Sequence, residues 1–396
     1  MAISMVEEES APLAKLRVVG VGGAGCNAIN RMVAAGVHGV EFVAANTDLQ
    51  SLRSARANTK IQLGKKCTKG LGAGSNPELG RKAAEEAYDQ LLDPLQGSDM
   101  VFITAGLGKG TGTGASPYIA ALAAELDCLV VAVVCTPFKF EGTFKMQQAE
   151  AGLAELRTNV DTVIVIPNER LPGIIPQEMT IPAAFARADE VLCQAVRSVS
   201  DLITVPGEVN LDFADVRRTL KDRGKAFIGT GEAEGEDRAS QAVEAALHNP
   251  LLGEQSIEGA SALLVNITTG EDGTFQEMSK AIETIHDAIK NEQTFVNWGC
   301  AHIPEFNGKF RATVIAAGFS EEAGAARLAG PRIYAMGGRP LAEHEIPTPK
   351  SVKGSSEAAA ASAVSPKRSP TFALGKNPAA SSAALSHSKS GAYRKP

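Results

Sequence analysis

Two glycine runs stand where a chain could hold an anion with its backbone. The first, Gly20-Val21-Gly22-Gly23-Ala24-Gly25-Cys26-Asn27, follows the apolar run LRVVGVG and leads into a helical pattern. Gly20, Gly22 and Gly25 meet the GxGxxG spacing in the strand-to-helix context that a phosphate loop requires. Glycine lets the backbone approach an anion, and the helix start behind it supplies amide donors and a partial positive charge. The second run spans residues 106–114. From Gly108 its glycines alternate with Lys109, Thr111 and Thr113, between the run MVFITAG and a helical stretch over 117–126. Amides and hydroxyls so interleaved make a nest suited to a di- or triphosphate. It is not a Walker A loop, because Lys109 is followed by Gly110 where that motif needs Ser or Thr. The first run alone also admits a plain tight turn or a dinucleotide site. The latter wants a ribose-binding acid about 20 residues on, and Glu41 stands at the start of the second apolar run rather than at its end.

These loops need a frame. The runs LRVVGVG, VEFVAANTD, MVFITAG, LVVAVVCTPF and TVIVIPN are bounded by Gly, Pro or Asn-Thr-Asp, as buried parallel strands should be. Helical patterns over 25–35 and 77–92 lie between them, and the second has Pro77 and Glu78 at its start. The alternation predicts an α/β fold, a doubly wound and mostly parallel sheet over 15–205. A long helix over 182–203 closes that block, with Phe185, Ala188, Leu192, Ala195, Val199 and Leu202 among its apolar stripe. At 1.5 Å per residue it is roughly 33 Å long, enough to cross a domain and join it to the next. Residues 206–320 read as a smaller C-terminal α+β domain, with strands KAFIG, SALLVNIT, FVNWGCAHI and FRATVIAAG, helices over 237–247 and 274–290, and a sheet covered on one side. Residues 1–14 are expected to be a flexible leader, and 321–396, rich in Ala, Ser, Pro and Lys, a disordered basic tail.

Composition removes several function classes. At 44% hydrophobic and 21% charged the chain can bury a sizeable core, while 5% aromatics and a single tryptophan, Trp298, give little surface for stacking bases. No run approaches the roughly 18 to 20 apolar residues of a membrane span. The start MAISMVEEES has no cationic region before an apolar one and is not expected to be a secretory signal. Six cysteines without a CxxC fit reduced thiols in a cytosolic chain, and six histidines without an HxxxH or HExxH pair lend no support to zinc. From Lys350 onward eight Lys or Arg face one acid, Glu357, so the net charge of −6 divides into a basic tail and a first 349 residues carrying −13. An acidic body argues against a nucleic-acid partner.

Seven segments, GVGGAGCNAINRM, AANTD, GLGAGSNPELG, GKGTGTG, CTPFKFEG, VNLDFADVR and GTGEAEGEDRASQAVEAALHNPLL, stand in one order over about residues 15 to 320. In them the chain resembles the FtsZ family, bacterial and organellar relatives of tubulin. The resemblance implies a GTPase that polymerises head to tail and acts in cell division, cytoplasmic and beneath the membrane at the division site. It implies GTP or GDP at a loop of Gly22, Gly23, Ala24, Gly25, Cys26 and Asn27. Asn46 and Asp48 would sit near sugar and phosphates, and Ala73 near the γ-phosphate. Gly108, Lys109, Gly110, Thr111, Gly112, Thr113 and Gly114 would wrap the phosphates, with Mg²⁺ held through them rather than by protein ligands. Pro137, Glu141 and Lys145 would meet the ribose, and Phe185 and Asp189, with Glu190 nearby, the guanine base.

By the same resemblance Asn210, Asp212 and Asp215, in a loop over 208–216, form the catalytic half. A loop roughly 33 Å along the helix from the base-contacting end cannot reach its own subunit's phosphates. The active site is then completed in trans by the next subunit, a heterologous contact that gives filaments. In isolation, Asp212 and Asp215 read first as a solvated turn with a capping Asp. Family members usually carry Gly at 109, Arg at 145 and an Asn-Asp pair at 189–190. They also usually end in a short acidic-apolar docking peptide for membrane tethers and regulators, and this chain ends SHSKSGAYRKP. The alternative is a specialised relative, a nucleotide-binding scaffold with reduced turnover. A third reading, an NAD-dependent oxidoreductase, rests on GxGxxG alone.

Overall fold

Valine, isoleucine and alanine runs without polar alternation make strands buried on both faces. The computed structural model describes residues 14–173, 179–205, 209, 211–252, 257–289, 291 and 293–319, all within one unit of residues 1–340. The leader over 1–13, the tail and Asn210 lie outside the described residues. Strands β1 (Leu16–Val21), β2 (Val40–Asn46), β3 (Thr59–Gln62), β4 (Met100–Gly106), β5 (Leu129–Thr136) and β6 (Thr162–Pro167) pair in parallel in the order β3-β2-β1-β4-β5-β6. Their helices are α1 (Gly22–Ala34), α2 (Leu49–Ser54), α3 (Pro77–Glu86), α4 (Tyr88–Leu95), α5 (Thr111–Glu125), α6 (Thr143–Arg157) and α7 (Ile181–Thr204). Val18, Phe102, Val131 and Ile164 point to one face, where α1 and α7 supply Ile29, Met32, Leu192 and Val196. Val19, Ile103, Val130 and Val163 point to the other, against Ala83, Leu91, Ile119 and Leu156 of α3 to α6. The strand order reverses between β1 and β4, and a crevice opens at such a switch point beyond the strand C-termini.

The sheet then continues. After α8 (Phe213–Leu220), β7 (Gly224–Glu234) joins β6 in parallel through three residue pairs. Beyond it β10 (Lys309–Ala317) lies antiparallel between β7 and β8 (Ala262–Thr269), and β9 (Phe295–His302) forms the edge, so ten strands make one sheet. Helices α9 (Arg238–Leu247) and α10 (Phe275–Ala288) cover one face with Val243, Ala281 and Ile285. Its other face, expected to be bare, is covered too. Ile228, Leu264 and Ile315 pack with Val196, Val199 and Leu202, because α7 is long enough to run under both halves. Thr180 caps α7, Pro182 occupies its first turn, and its 24 residues span about 36 Å.

Two helices differ from the sequence expectation. The stretch over 77–92 is broken at Ala87 (φ −100°, ψ 19°) into α3 and α4, which lets Ala83 and Ala84 and then Leu91 and Leu95 enter one core. The helix expected over 117–126 begins at Thr111, inside the second glycine run, and carries Pro117 within it. Among the described residues no helix is long and apolar enough to cross a membrane.

Candidate functional site

A cleft of about 440 Å³ opens at the C-terminal ends of β1, β2, β4, β5 and β6. Each strand delivers a lining residue where it ends: Gly22 after β1, Asn46 on β2, Gly106 on β4, Pro137 after β5 and Asn168 after β6. The two glycine runs meet at its floor. Gly22 has φ +73°, and a Cβ there would stand 3.1 Å from the Gly112 amide nitrogen. A Cβ on Gly110 would stand 2.7 Å from the Ala73 Cβ and 2.9 Å from the Asn76 nitrogen, so the 72–76 loop closes on the second run only because no side chain intervenes. The Thr47 and Thr111 hydroxyls lie 2.6 Å apart across the same floor.

The electrostatics suit an anion. Helices α1 and α5 both start at the cleft, and neither start is capped by a side chain. Their first-turn amides lack intrahelical partners and carry the positive end of the helix dipole. By contrast Asn76 caps α3, its Oδ1 accepting from the Glu78 and Leu79 amides.

Opposite the glycines the cleft is walled by α7, through Phe185, Ala188 and Asp189. The Asp189 carboxyl is pushed up to about 6 by burial, a rise that Arg31 opposes from 3.5 Å. Phe185 sits edge-on to Phe138, ring centres 5.3 Å apart, leaving a flat apolar surface beside a carboxylate. Buried Asn168 also lines this end, and its Oδ1 accepts no hydrogen bond among the described residues.

Of the residues singled out from sequence, Gly22, Gly23, Ala24, Asn27, Asn46, Asp48, Ala73, Lys109, Gly110, Thr111, Gly112, Pro137, Glu141, Phe185 and Asp189 line the cleft. Gly25, Cys26, Gly108, Thr113, Gly114 and Lys145 do not, and they build its walls instead. Gly25 packs α1 on β4, where a Cβ would meet the Thr104 carbonyl; Gly114 packs α5 on Pro77. Gly108 holds φ +95° and donates to the Thr113 hydroxyl at 2.9 Å. Cys26 is buried, its thiol pushed up to about 11. Lys145 bonds Glu141 at 3.0 Å, so its ammonium steadies a lining carboxylate. Lys109 is exposed at the rim. Glu190 faces away, pairing with Arg187 at 2.7 Å and lining a separate groove. Glu41 pairs with Arg17 at 2.9 Å near the start of β2, at the opposite end of the strand from Asn46 and the cleft. Sequence reasoning passed over Thr47, Gly72, Ser75, Thr136 and Asn168. The common signal for Thr136 and Asn168 is position at a strand's C-terminal end.

Asp212 and Asp215 lie elsewhere, at the start of α8 beyond the far end of α7. Fifteen helical residues, about 23 Å, separate Asp189 from the end of α7 at Thr204. Asp212 caps α8, its Oδ1 accepting from the Asp215 amide at 2.8 Å. Neither carboxylate lines the cleft of its own chain.

A doubly wound sheet with two glycine loops under uncapped helices, walled by a helix bearing a carboxylate and an aromatic ring, defines a mononucleotide-binding α/β protein. Residues 15–176 match the family model of the tubulin/FtsZ GTPase domain and residues 224–320 that of the FtsZ C-terminal domain. The chain is 49% identical over 319 residues to the cell division protein FtsZ of Caulobacter vibrioides, covering 80% of itself and 63% of that protein. It is similar to the empty FtsZ dimer of M. jannaschii, with a TM-score of 0.75, 42% identity, and coverage of 78% and 89% of the two chains. The GTPγS-bound protofilament of CetZ2 from Haloferax volcanii shares the fold, with a TM-score of 0.65, 22% identity, and coverage of 79% and 96%. This chain belongs to the FtsZ branch of the tubulin/FtsZ family.

Proposed function

We propose that this protein binds GTP in the cleft, assembles head to tail into filaments, and hydrolyses GTP where the Asp212 and Asp215 end of one subunit meets the cleft of the next. The observation that carries the reading is the separation of the two halves of the chemistry along α7. The nucleotide cleft stands at one end and the carboxylates at the other, so neither is complete alone. The amides of Gly22, Gly23 and 110–112 receive the phosphates, and the Asp189 carboxylate accepts from the guanine N1 and N2 donors. Adenine offers no such pair. Asp212 and Asp215, together with Asn210 two positions earlier in the sequence, orient the attacking water, and phosphoryl transfer depends mainly on such positioning. Among the described residues no group of three or more His, Cys, Asp or Glu side chains is placed to hold a metal. Mg²⁺ would then be held mainly by phosphate oxygens, with the Thr111 hydroxyl within the same floor, and it would supply charge neutralisation. Exposed Leu71 and Phe140 neighbour cleft residues in the chain, and with exposed Phe144 they supply apolar surface for the next subunit. The family assignment supports a role in cell division at the cytoplasmic face of the membrane.

The test is GTP turnover per subunit across a protein concentration series, with sedimentation alongside and ATP as control. Turnover near zero at low concentration, rising with pelletable filament, is expected. Constant turnover per subunit would overturn the shared site, and filaments without turnover would favour a scaffold.

A further inference from the structure

Asp215 is held at both ends of its own peptide units. Its amide donates to Asp212 Oδ1 at 2.8 Å, and its carbonyl accepts from the Thr219 hydroxyl at 2.8 Å and from Asn297 Nδ2 at 3.2 Å. The same Asn297 amide donates to Thr219 Oγ1 at 3.0 Å. Asn297 belongs to β9, the edge strand of the sheet, 82 residues further along the chain.

Its neighbours on that strand are keyed to the same segment. Residues two apart on a strand share a face, and Phe295, Asn297 and Gly299 all meet the region from 202 to 219. The Arg218 guanidinium lies 4.4 Å above the Phe295 ring centre. A Cβ at Gly299 would stand 2.7 Å from Leu202 Cδ2 and 3.1 Å from the Val209 carbonyl oxygen. Val209 in turn accepts from the Cys300 amide at 3.0 Å, a lone antiparallel bridge to the strand. One strand edge therefore touches the end of α7 at Leu202, Val209, and α8 at Asp215, Arg218 and Thr219.

We infer that Asn297 is a positioning residue for hydrolysis, holding Asp212 and Asp215 in register for the neighbouring subunit's phosphates. The inference rests on the shared-site reading above. The edge strand does not need this half-buried amide for its own pairing, since β9 already pairs with β8 over eight residues. The Asn297 amide is spent on a carbonyl and a hydroxyl of α8 instead. Without it, α8 keeps its Asp212 cap and its packing through Val216 and Leu220, but loses the tie that fixes its first turn laterally. Carboxylates that orient a water tolerate little displacement.

The experiment compares full-length Asn297→Val and Asn297→Asp with the unmodified protein. Valine removes the donor with similar bulk in a strand. Aspartate keeps the shape and turns a donor toward Asp215 O into an acceptor. The expected result is a kcat for GTP about tenfold lower, lower still for Asn297→Asp, with KM and the affinity for fluorescent GTP unchanged. Pelleted filaments of the variants should hold a larger fraction of GTP over GDP. Thr219→Val combined with Asn297→Val should cost little more than Asn297→Val alone, because both act through one carbonyl. Unchanged turnover per pelleted subunit overturns the inference. So does a loss of pelleting or GTP affinity that accompanies the loss of kcat, which would mark a general structural role. Failure of the underlying reading looks different: Asp212→Asn would then retain full turnover. Asp212→Asn inactive beside fully active Asn297→Val sinks the positioning role alone.

Discussion

The Asp189 carboxylate, buried in the wall of the cleft, lies 3.5 Å from the Arg31 guanidinium of the neighbouring helix. Burial outweighs that cation, and the carboxyl is pushed up to about 6. If Asp189 takes the guanine N1 and N2 donors as proposed, only its ionised form accepts both, so nucleotide affinity should fall as pH drops through 6, about tenfold between pH 6 and pH 4.5. The sign for stability is opposite. A carboxyl raised in the folded state favours folding below its unfolded value near 4 and loses that contribution as pH rises through 6. Asp189→Asn should flatten the affinity profile and raise the Tm of nucleotide-free protein at pH 7. Isothermal titration with GDP from pH 4.5 to 8 and thermal melts check both.

Asp212 both caps α8 and is assigned to hydrolysis, and substitution separates the two. Asparagine is as good a cap as aspartate, so Asp212→Asn should fold normally, bind GTP as before and lose about 100-fold in turnover. Asp212→Ala should lose the same turnover and about 1 kcal/mol of stability besides. Steady-state kinetics with denaturant unfolding distinguish them.

Gly110→Ala places a methyl 2.7 Å from Ala73 Cβ and 2.9 Å from the Asn76 nitrogen. The 72–76 loop must move away, and GTP affinity should fall at least tenfold. Lys109→Gly, one residue earlier but exposed, should change affinity less than threefold. Equilibrium binding of a fluorescent GTP analogue reads the contrast.

Leu71 is 87% exposed beside lining Gly72, an apolar side chain that the described residues leave largely uncovered. Leu71→Asp should leave GDP affinity intact while abolishing pelletable filament and, with it, turnover. Retained filaments would remove this surface from the subunit contact.

The strands, their parallel order and the long helix were legible because both-face burial leaves uninterrupted apolar runs and α7 keeps its rhythm over 24 residues. The break at Ala87 was not, since alanine is a good helix former and only the shared core of Ala84 and Leu91 shows why the axis must change. The start of α5 at Thr111 was hidden for the reverse reason: glycine argues against helix locally, yet Gly112 and Gly114 are required where their Cβ atoms would overlap Gly106 and Pro77 carbonyls. In the site, glycine spacing marked both loops, but it did not separate lining residues such as Gly110 from packing ones such as Gly25 and Gly108. Asn168 lay unmarked because a single amide after a strand has no motif, and its unsatisfied oxygen shows only in three dimensions.

α7 also acts as a gauge. Asp189 marks one end and the acid-bearing helix follows the other, with about 23 Å of unbroken helix between. If subunits join through these two ends, as proposed, α7 is the stiff rod inside each repeat, so any adjustment between successive clefts would have to fall at the contact between subunits rather than along the helix.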